Sequence, residues 1–221
     1  TSNQVKTNKT KTFEMINNFN KDYEVDKKVD KILVDQLAKI VDNETYNNEE
    51  EIMFINSASD ILMKIIYIGE YDAYNILFKK FENLSLKNNK LKYEYVTYYK
   101  AYYKYLFEES EEILKLYKET VKYSMLSKNK KMLFLAYYDM GGYYAESSDY
   151  YNSFKSYNLA AKHAETTENI IDIELGRINI LYYMGVYEEV IEKSMETLKK
   201  LNNWEEKELK KLTIYQNIYT N

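Results

Sequence analysis

Along this chain, apolar residues recur every three to four positions rather than every second one. The spacing predicts helices near 13–20, 24–42, 49–68, 71–85, 90–107, 109–126, 130–147, 149–165, 168–184, 187–202 and 204–220. In the second of these, Val25, Val29, Ile32, Gln36, Leu37 and Ile40 fall on one stripe, which makes 24–42 an amphipathic helix. In the last, Leu209, Leu212, Tyr215 and Tyr219 form a narrow stripe among lysines and glutamates, as on a capping helix or the first half of a truncated repeat. The breaks carry their own chemistry. Asn88-Asn89, Lys128-Asn129 and Asn202-Asn203 contain residues that tolerate left-handed backbone at helix ends. Asp149 and Asn169 stand where N-caps are expected.

The helices repeat in pairs. Gly69-Glu70-Tyr71, Ser148-Asp149-Tyr150 and Gly185-Val186-Tyr187 each place a turn before a helix start. Tyr71 and Tyr150 are 79 residues apart, two units of about 39.5, and Tyr150 and Tyr187 are 37 apart. The intervening copy belongs near residue 110, where Phe107-Glu108-Glu109-Ser110 separates two helical stretches. A period of 37–40 residues with two helices per unit is the mark of a helix-hairpin solenoid.

Composition narrows the chemistry. Among 221 residues there is no cysteine and a single histidine, His163, so thiol chemistry is excluded and a zinc or triad site has little to work with. Five glycines and no proline cannot furnish the phosphate loops of an α/β nucleotide enzyme or the turns of an all-β fold. Neither a cofactor nor a metal is implied, and the expectation is a protein that is not an enzyme. His163, near a helix end, reads as a partly exposed partner of the helix dipole. The net charge of −4 gives no general pull toward nucleic acid or anionic membrane, and no apolar run is long enough to span a bilayer. Only Arg177 is arginine among 31 cationic residues, and Lys, Asn, Ile and Tyr all use A/T-rich codons, which points to a low-GC Gram-positive source. The run Glu108-Glu109-Ser110-Glu111-Glu112 reads as a solvated, acidic helix start.

The clearest repeat copy resembles the tetratricopeptide repeat: Tyr137, Met140, Gly141 and Tyr144 on one helix, then Tyr150, Ser153, Tyr157 and Ala160 on the next. Gly141, Ser153 and Ala160 are small where two helices cross closely, and Tyr144 and Tyr157 fill the space between hairpins. Looser copies run through Ala58, Ile61, Leu62, Ile65, Gly69, Tyr71, Tyr74 and Phe78; through Ala101, Ile113, Tyr117 and Thr120; and through Ile178, Leu181, Gly185, Tyr187, Val190 and Ser194. The resemblance implies an all-α, right-handed α-solenoid of about five hairpin pairs. It divides the chain into a polar segment and helical lead-in at 1–45, repeats at 46–203 and a capping helix or truncated repeat at 204–221.

In such arrays the first helix of each hairpin lines a concave face. Transfer by the repeat register puts Ser59, Asp60, Met63 and Tyr67 there from the first copy, and Tyr98, Tyr99, Tyr102 and Tyr105 from the second. The third contributes Tyr138, Asp139, Gly142, Ala145 and Glu146, and the fourth Leu175, Asn179, Tyr182 and Tyr183. The peptide-binding candidates are Asn179, Tyr182, Tyr138, Asp139, Tyr98, Tyr102, Tyr67 and Met63. Tyrosine offers rigid apolar area plus a hydroxyl, and an asparagine amide can donate to and accept from an extended peptide backbone. The 26 tyrosines divide between packing and this face; with seven of them within 93–105, some must be exposed. Acids and few lysines on the face favour an apolar or basic peptide over an acidic one.

Array length, spacing and the inferred source also resemble the peptide-sensing Rap/Npr/PlcR/PrgX/Rgg-type regulators of Gram-positive bacteria. That resemblance implies a cytoplasmic sensor domain of a quorum-sensing-type transcriptional regulator, in which a short peptide changes solenoid curvature. A homodimer is allowed, no membrane is involved, and DNA would be reached only through a domain not present in this chain, for which a start at Thr1 leaves room. The alternative is a tetratricopeptide protein–protein scaffold or assembly chaperone with no peptide signal.

Overall fold

The computed structural model describes residues 12–19 and 31–201. Among the described residues there are ten helices and no strands: α1 (12–19), α2 (Lys31–Asn43), α3 (Asn48–Tyr67), α4 (Tyr71–Lys87), α5 (Tyr93–Phe107), α6 (Glu112–Ser127), α7 (Lys130–Glu146), α8 (Tyr150–Ala161), α9 (Thr167–Tyr183) and α10 (Tyr187–Leu201). The protein is all-α. The helix expected at 204–220 lies outside the described residues. The chain divides into two compact units, Thr1–Ile113 and Leu114–Asn221.

In the first unit α2 and α3 pack on α4, and α5 packs on α3 and α4. The start of α3 is fixed by a capping box: the Asn47 side chain accepts from the Glu50 backbone N–H at 3.0 Å, and the Glu50 carboxylate accepts from the Asn47 N–H at 2.8 Å. The inward face of α3 is Phe54, Ile55, Ala58, Ile61, Leu62 and Ile65, all fully buried, four of which are the expected apolar positions of the first copy. The expected stripe on 24–42 is corrected. Leu37 is buried as expected and Ile40 is half-buried, but Val34, Ala38 and Val41 complete the buried face, Ile32 and Gln36 are exposed, and Val25 and Val29 lie outside the described residues. α4 is the helix packed against α2, and Lys31 at the start of α2 pairs with Glu70, just before α4, at 3.0 Å.

An ion pair between a buried glutamate and an exposed lysine ties α3 to the end of α4. The Glu51 carboxylate, in a residue 3% exposed, meets Lys87 Nζ at 2.5 Å and accepts from the Asn88 side-chain amide at 2.9 Å. These two donors hold its carboxyl below the usual range, against the opposing effect of burial.

The tyrosine-rich α5 begins at 93 rather than 90, because Asn89, Lys90 and Lys92 all adopt positive φ, and Ser85 Oγ donates to Leu91 O at 2.6 Å across that turn. Tyr95, Tyr98 and Tyr99 are buried, while Tyr93, Tyr102, Tyr103 and Tyr105 are half-buried, so the expectation that some of the seven stand exposed is not met. Tyr99 donates its hydroxyl to Ser59 O on α3 and packs edge-on against Phe78 and Phe81 of α4, while the Tyr74 hydroxyl donates to Tyr99 O at 3.2 Å. Burial raises the Tyr99 phenol well above its ordinary value.

In the second unit α7 packs on α8, α8 on α9 and α9 on α10, and α7 also touches α9. α8 is capped by Asp149, which accepts from Asn152 N at 3.2 Å. At α9 the cap is Thr166, accepting from Asn169 N at 3.1 Å, so Asn169 is the third residue of the helix rather than its cap. The looser copies keep their small and apolar positions inside: Ile113, Tyr117, Thr120, Ile178, Val190 and Ser194 are buried, whereas Tyr187 is exposed.

The three turns of the repeat share one backbone solution. Gly69, Ser148 and Gly185 have φ of +80°, +60° and +75°. Each N–H donates three residues back, and the following N–H (Glu70, Asp149, Val186) donates five back, to Ile65, Tyr144 and Leu181 at 3.2, 2.8 and 3.0 Å. This is the Schellman closure of a helix end. It occurs a fourth time at Lys128 (φ +56°), where Asn129 N donates to Ser124 O at 2.9 Å and Asn129 then caps α7.

Candidate functional site

The second unit is organised around one side chain. The Tyr157 ring leaves α8 and passes between two helical glycines, Gly141 of α7 and Gly176 of α9. A Cβ on Gly141 would lie 2.8–2.9 Å from the ring carbons, and one on Gly176 would lie 2.5 Å from Cζ and 2.8 Å from the hydroxyl oxygen. Neither position tolerates a side chain with the ring in place. Ser153, one turn before Tyr157, donates to Gly141 O at 2.6 Å and closes the same crossing.

The hydroxyl end of Tyr157 meets the α7–α9 face. Tyr138 of α7 packs edge-on against its ring at 5.5 Å. Burial comes first in pushing the phenol far up from its ordinary value, followed by the negative charges of Asp139 and Glu146 and then by Tyr183 of α9. Asp139 is oriented from behind by the buried Tyr117 of α6, whose hydroxyl lies 3.4 Å from Asp139 Oδ2. Arg177 turns away from this group, to Glu174 at 3.0 Å and to Asn158 on α8.

Of the residues expected on the concave face, this unit holds four candidates. Tyr138 and Asp139 are half-buried on α7; Asn179 and Tyr182 are exposed on α9, where Tyr182 packs against Tyr183 at 5.8 Å and against Tyr187 of α10 at 5.9 Å. The other four lie in the first unit, on α3 and α5. Tyr67 meets Tyr102 edge-on at 6.2 Å, and Tyr102 stacks on Tyr98 at 6.0 Å. Tyr67 is exposed and Met63 half-buried, whereas Tyr98 is only 1% exposed, so its ring belongs to the core. The register thus brings Tyr67, Tyr98 and Tyr102 together and leaves Tyr98 little free surface.

Two features escaped the sequence reading. Gly176 carries no turn role, and its signal was a glycine in the middle of a helix, where it costs about 1 kcal/mol relative to alanine unless a close approach requires it. The seat of the Tyr157 ring and hydroxyl beside α9 depends on that second glycine. His163 is half-buried, as expected, but its charge differs from expectation. It follows α8, stacks on Tyr137 at 6.0 Å, and has its pKa lowered by burial and then by Lys130 and Lys162, which favours the neutral ring over a cation serving the helix dipole.

Among the described residues no three His, Asp or Glu side chains stand together as a metal site, and no helix is long and apolar enough to cross a membrane. Neither a family model, nor a curated protein, nor a solved structure matches the chain.

Proposed function

We propose that the chain is a tetratricopeptide-like helix-hairpin α-solenoid that captures a short peptide, serving as the sensor domain of a cytoplasmic, quorum-sensing-type transcriptional regulator. The observation that carries this reading is the interlock of α7, α8 and α9. Tyr157 wedged between Gly141 and Gly176 sets two alternate helices side by side, with Tyr138 and Asp139 on one and the exposed Asn179 and Tyr182 on the other. A pair of parallel helix faces bearing aromatic rings, an amide and a carboxylate suits an extended peptide, whose backbone needs both donors and acceptors. The spacing of neighbouring hairpins is a soft coordinate, so a ligand bridging two of them can shift it.

Native mass spectrometry of the chain as isolated from its own cells should find a peptide retained. Asn179→Ala should lower that retention with helicity unchanged by circular dichroism; equal retention would remove Asn179 from the site. The second reading, a scaffold that binds folded proteins, is favoured by a patch in the first unit. There Tyr71 and Phe107 meet edge-on at 4.7 Å and, with Leu106, stay 37–48% exposed. Folded partners on the isolated chain in place of a peptide would favour it.

A further inference from the structure

Among the described helices, α8 alone carries no acidic residue. One of its faces is buried through Ser153, Ser156, Tyr157 and Ala160, and the helix packs on α7 and α9. On the opposite face Tyr151, Phe154, Lys155, Asn158, Leu159 and Lys162 line an open groove of about 430 Å³. Their spacing is that of a helix face covered by a neighbour. Here the face stands in solvent: Tyr151 is 77% exposed, Phe154 and Leu159 are half-buried, and Lys155, Asn158 and Lys162 are exposed. The polar chemistry of the groove is one-sided. Lys87, Lys104, Lys130 and Lys193 each meet a glutamate, whereas neither Lys155 nor Lys162 pairs with an acid among the described residues. Arg177 of α9 donates to Asn158 Oδ1, which leaves the Nδ2 group of the same amide as a donor.

We propose that this groove docks an acidic amphipathic helix of a partner protein, with apolar side chains on Tyr151, Phe154 and Leu159 and carboxylates on Lys155 and Lys162. The charge complementarity is direct, because the groove presents two ammonium groups and an amide donor and no acid among its described residues. The lining residues recur along one helix, so the matching ridge is that of a second helix laid against it. Lys155 and Lys162 are two turns apart, about 10 Å along the axis, so acids at positions i and i+7 of the partner face both. Leu159 and Phe154 give the groove an apolar floor, and the chain as a whole carries a net charge of −4, both of which favour a protein segment over a polyanion. The groove lies on the side of α8 away from its packed face, so this surface is independent of peptide capture on α7 and α9.

The test uses the full chain and fluorescein-labelled, alanine-based helical peptides with leucine at i+3 and i+4 and Glu, Gln or Lys at both i and i+7, with binding read by anisotropy. The Glu peptide should bind about fivefold tighter than the Gln peptide, the worth of two exposed ion pairs, and the Lys peptide weakest. In Lys155→Gln/Lys162→Gln the Glu and Gln peptides should bind alike. Tyr151→Ser should weaken both by a similar factor. All three residues are exposed, so circular dichroism and melting should be unchanged in the variants. Equal binding of the Glu and Gln peptides to the wild type, a preference that survives in the double lysine variant, or no binding by any peptide overturns the docking surface. A labelled oligothymidylate that binds through the same two lysines more tightly than the Glu peptide also overturns it, and assigns the groove to nucleic acid.

Discussion

Replacing Gly176 by alanine is a one-carbon change whose sign depends on Tyr157. The new methyl would stand 2.5 Å from Tyr157 Cζ, 2.7 Å from Cε1 and 2.8 Å from the hydroxyl, about an ångström inside ordinary contact. The ring cannot retreat, because on its other side a Cβ at Gly141 would already be 2.8 Å away, so the backbones of α7 and α9 come as close as the ring permits. Overpacking of this kind costs about 1–3 kcal/mol, and a two-sided clamp belongs at the upper end. Against it stands the helix propensity of alanine, worth about 1 kcal/mol over glycine in a helix interior. The net expectation is a loss of about 2 kcal/mol, read from urea titrations followed by circular dichroism at 222 nm. The decisive comparison is a double-mutant cycle. In a Tyr157→Ala background, itself destabilised by about 3–5 kcal/mol through the cavity it opens, the clash is gone and only propensity remains. There Gly176→Ala should stabilise by about 1 kcal/mol. If Gly176→Ala is neutral or stabilising with Tyr157 present, or if the two changes simply add, the ring is not clamped between the helices.

Ser148 occupies the left-handed position that Gly69 and Gly185 hold in the equivalent turns. Left-handed backbone costs a non-glycine residue about 1–2 kcal/mol, and the extra unfolded-state freedom of glycine returns part of that, so Ser148→Gly should raise stability by about 0.5–1 kcal/mol in the same titration. A loss of stability would mean that the serine hydroxyl, which no described residue engages, matters after all. His163 should impose a pH slope of known sign. Its folded pKa lies below the ordinary 6.5, so the unfolded chain binds the proton more readily; its contribution is complete above that value and is lost as pH falls through the folded pKa. His163→Gln should flatten the decline in stability between about pH 7.5 and 5.5 relative to wild type. An unchanged slope would assign the decline to other groups.

Helix positions were legible because each carries a local cause. The starts of α4, α7 and α10 were expected at the residues where they occur, since the breaks there are written by Gly69, Asn129 and Gly185, and the backbone at such breaks follows from residues within one turn. The closeness required at Gly141 and Ser153 was legible for the same reason, because small residues at a fixed spacing have few other uses inside a helix pair. Which face of a helix is buried was less so. In α2 the expected stripe shares Leu37 with the buried face, but Val34, Ala38 and Val41 are buried where Ile32 and Gln36 are exposed, a choice that depends on the tertiary packing of the helix. The tyrosines show the limit most clearly. Tyr98 and Tyr102 are one helical turn apart with the same side chain, yet the first is core and the second half-buried, because burial depends on how near the neighbouring helix stands. The seat of the Tyr157 ring depends on two glycines 35 residues apart, brought to either side of it by the packing of three helices. Periodicity specifies which residues can face a neighbour, but the distance of that neighbour is set by the packing of all the helices around it.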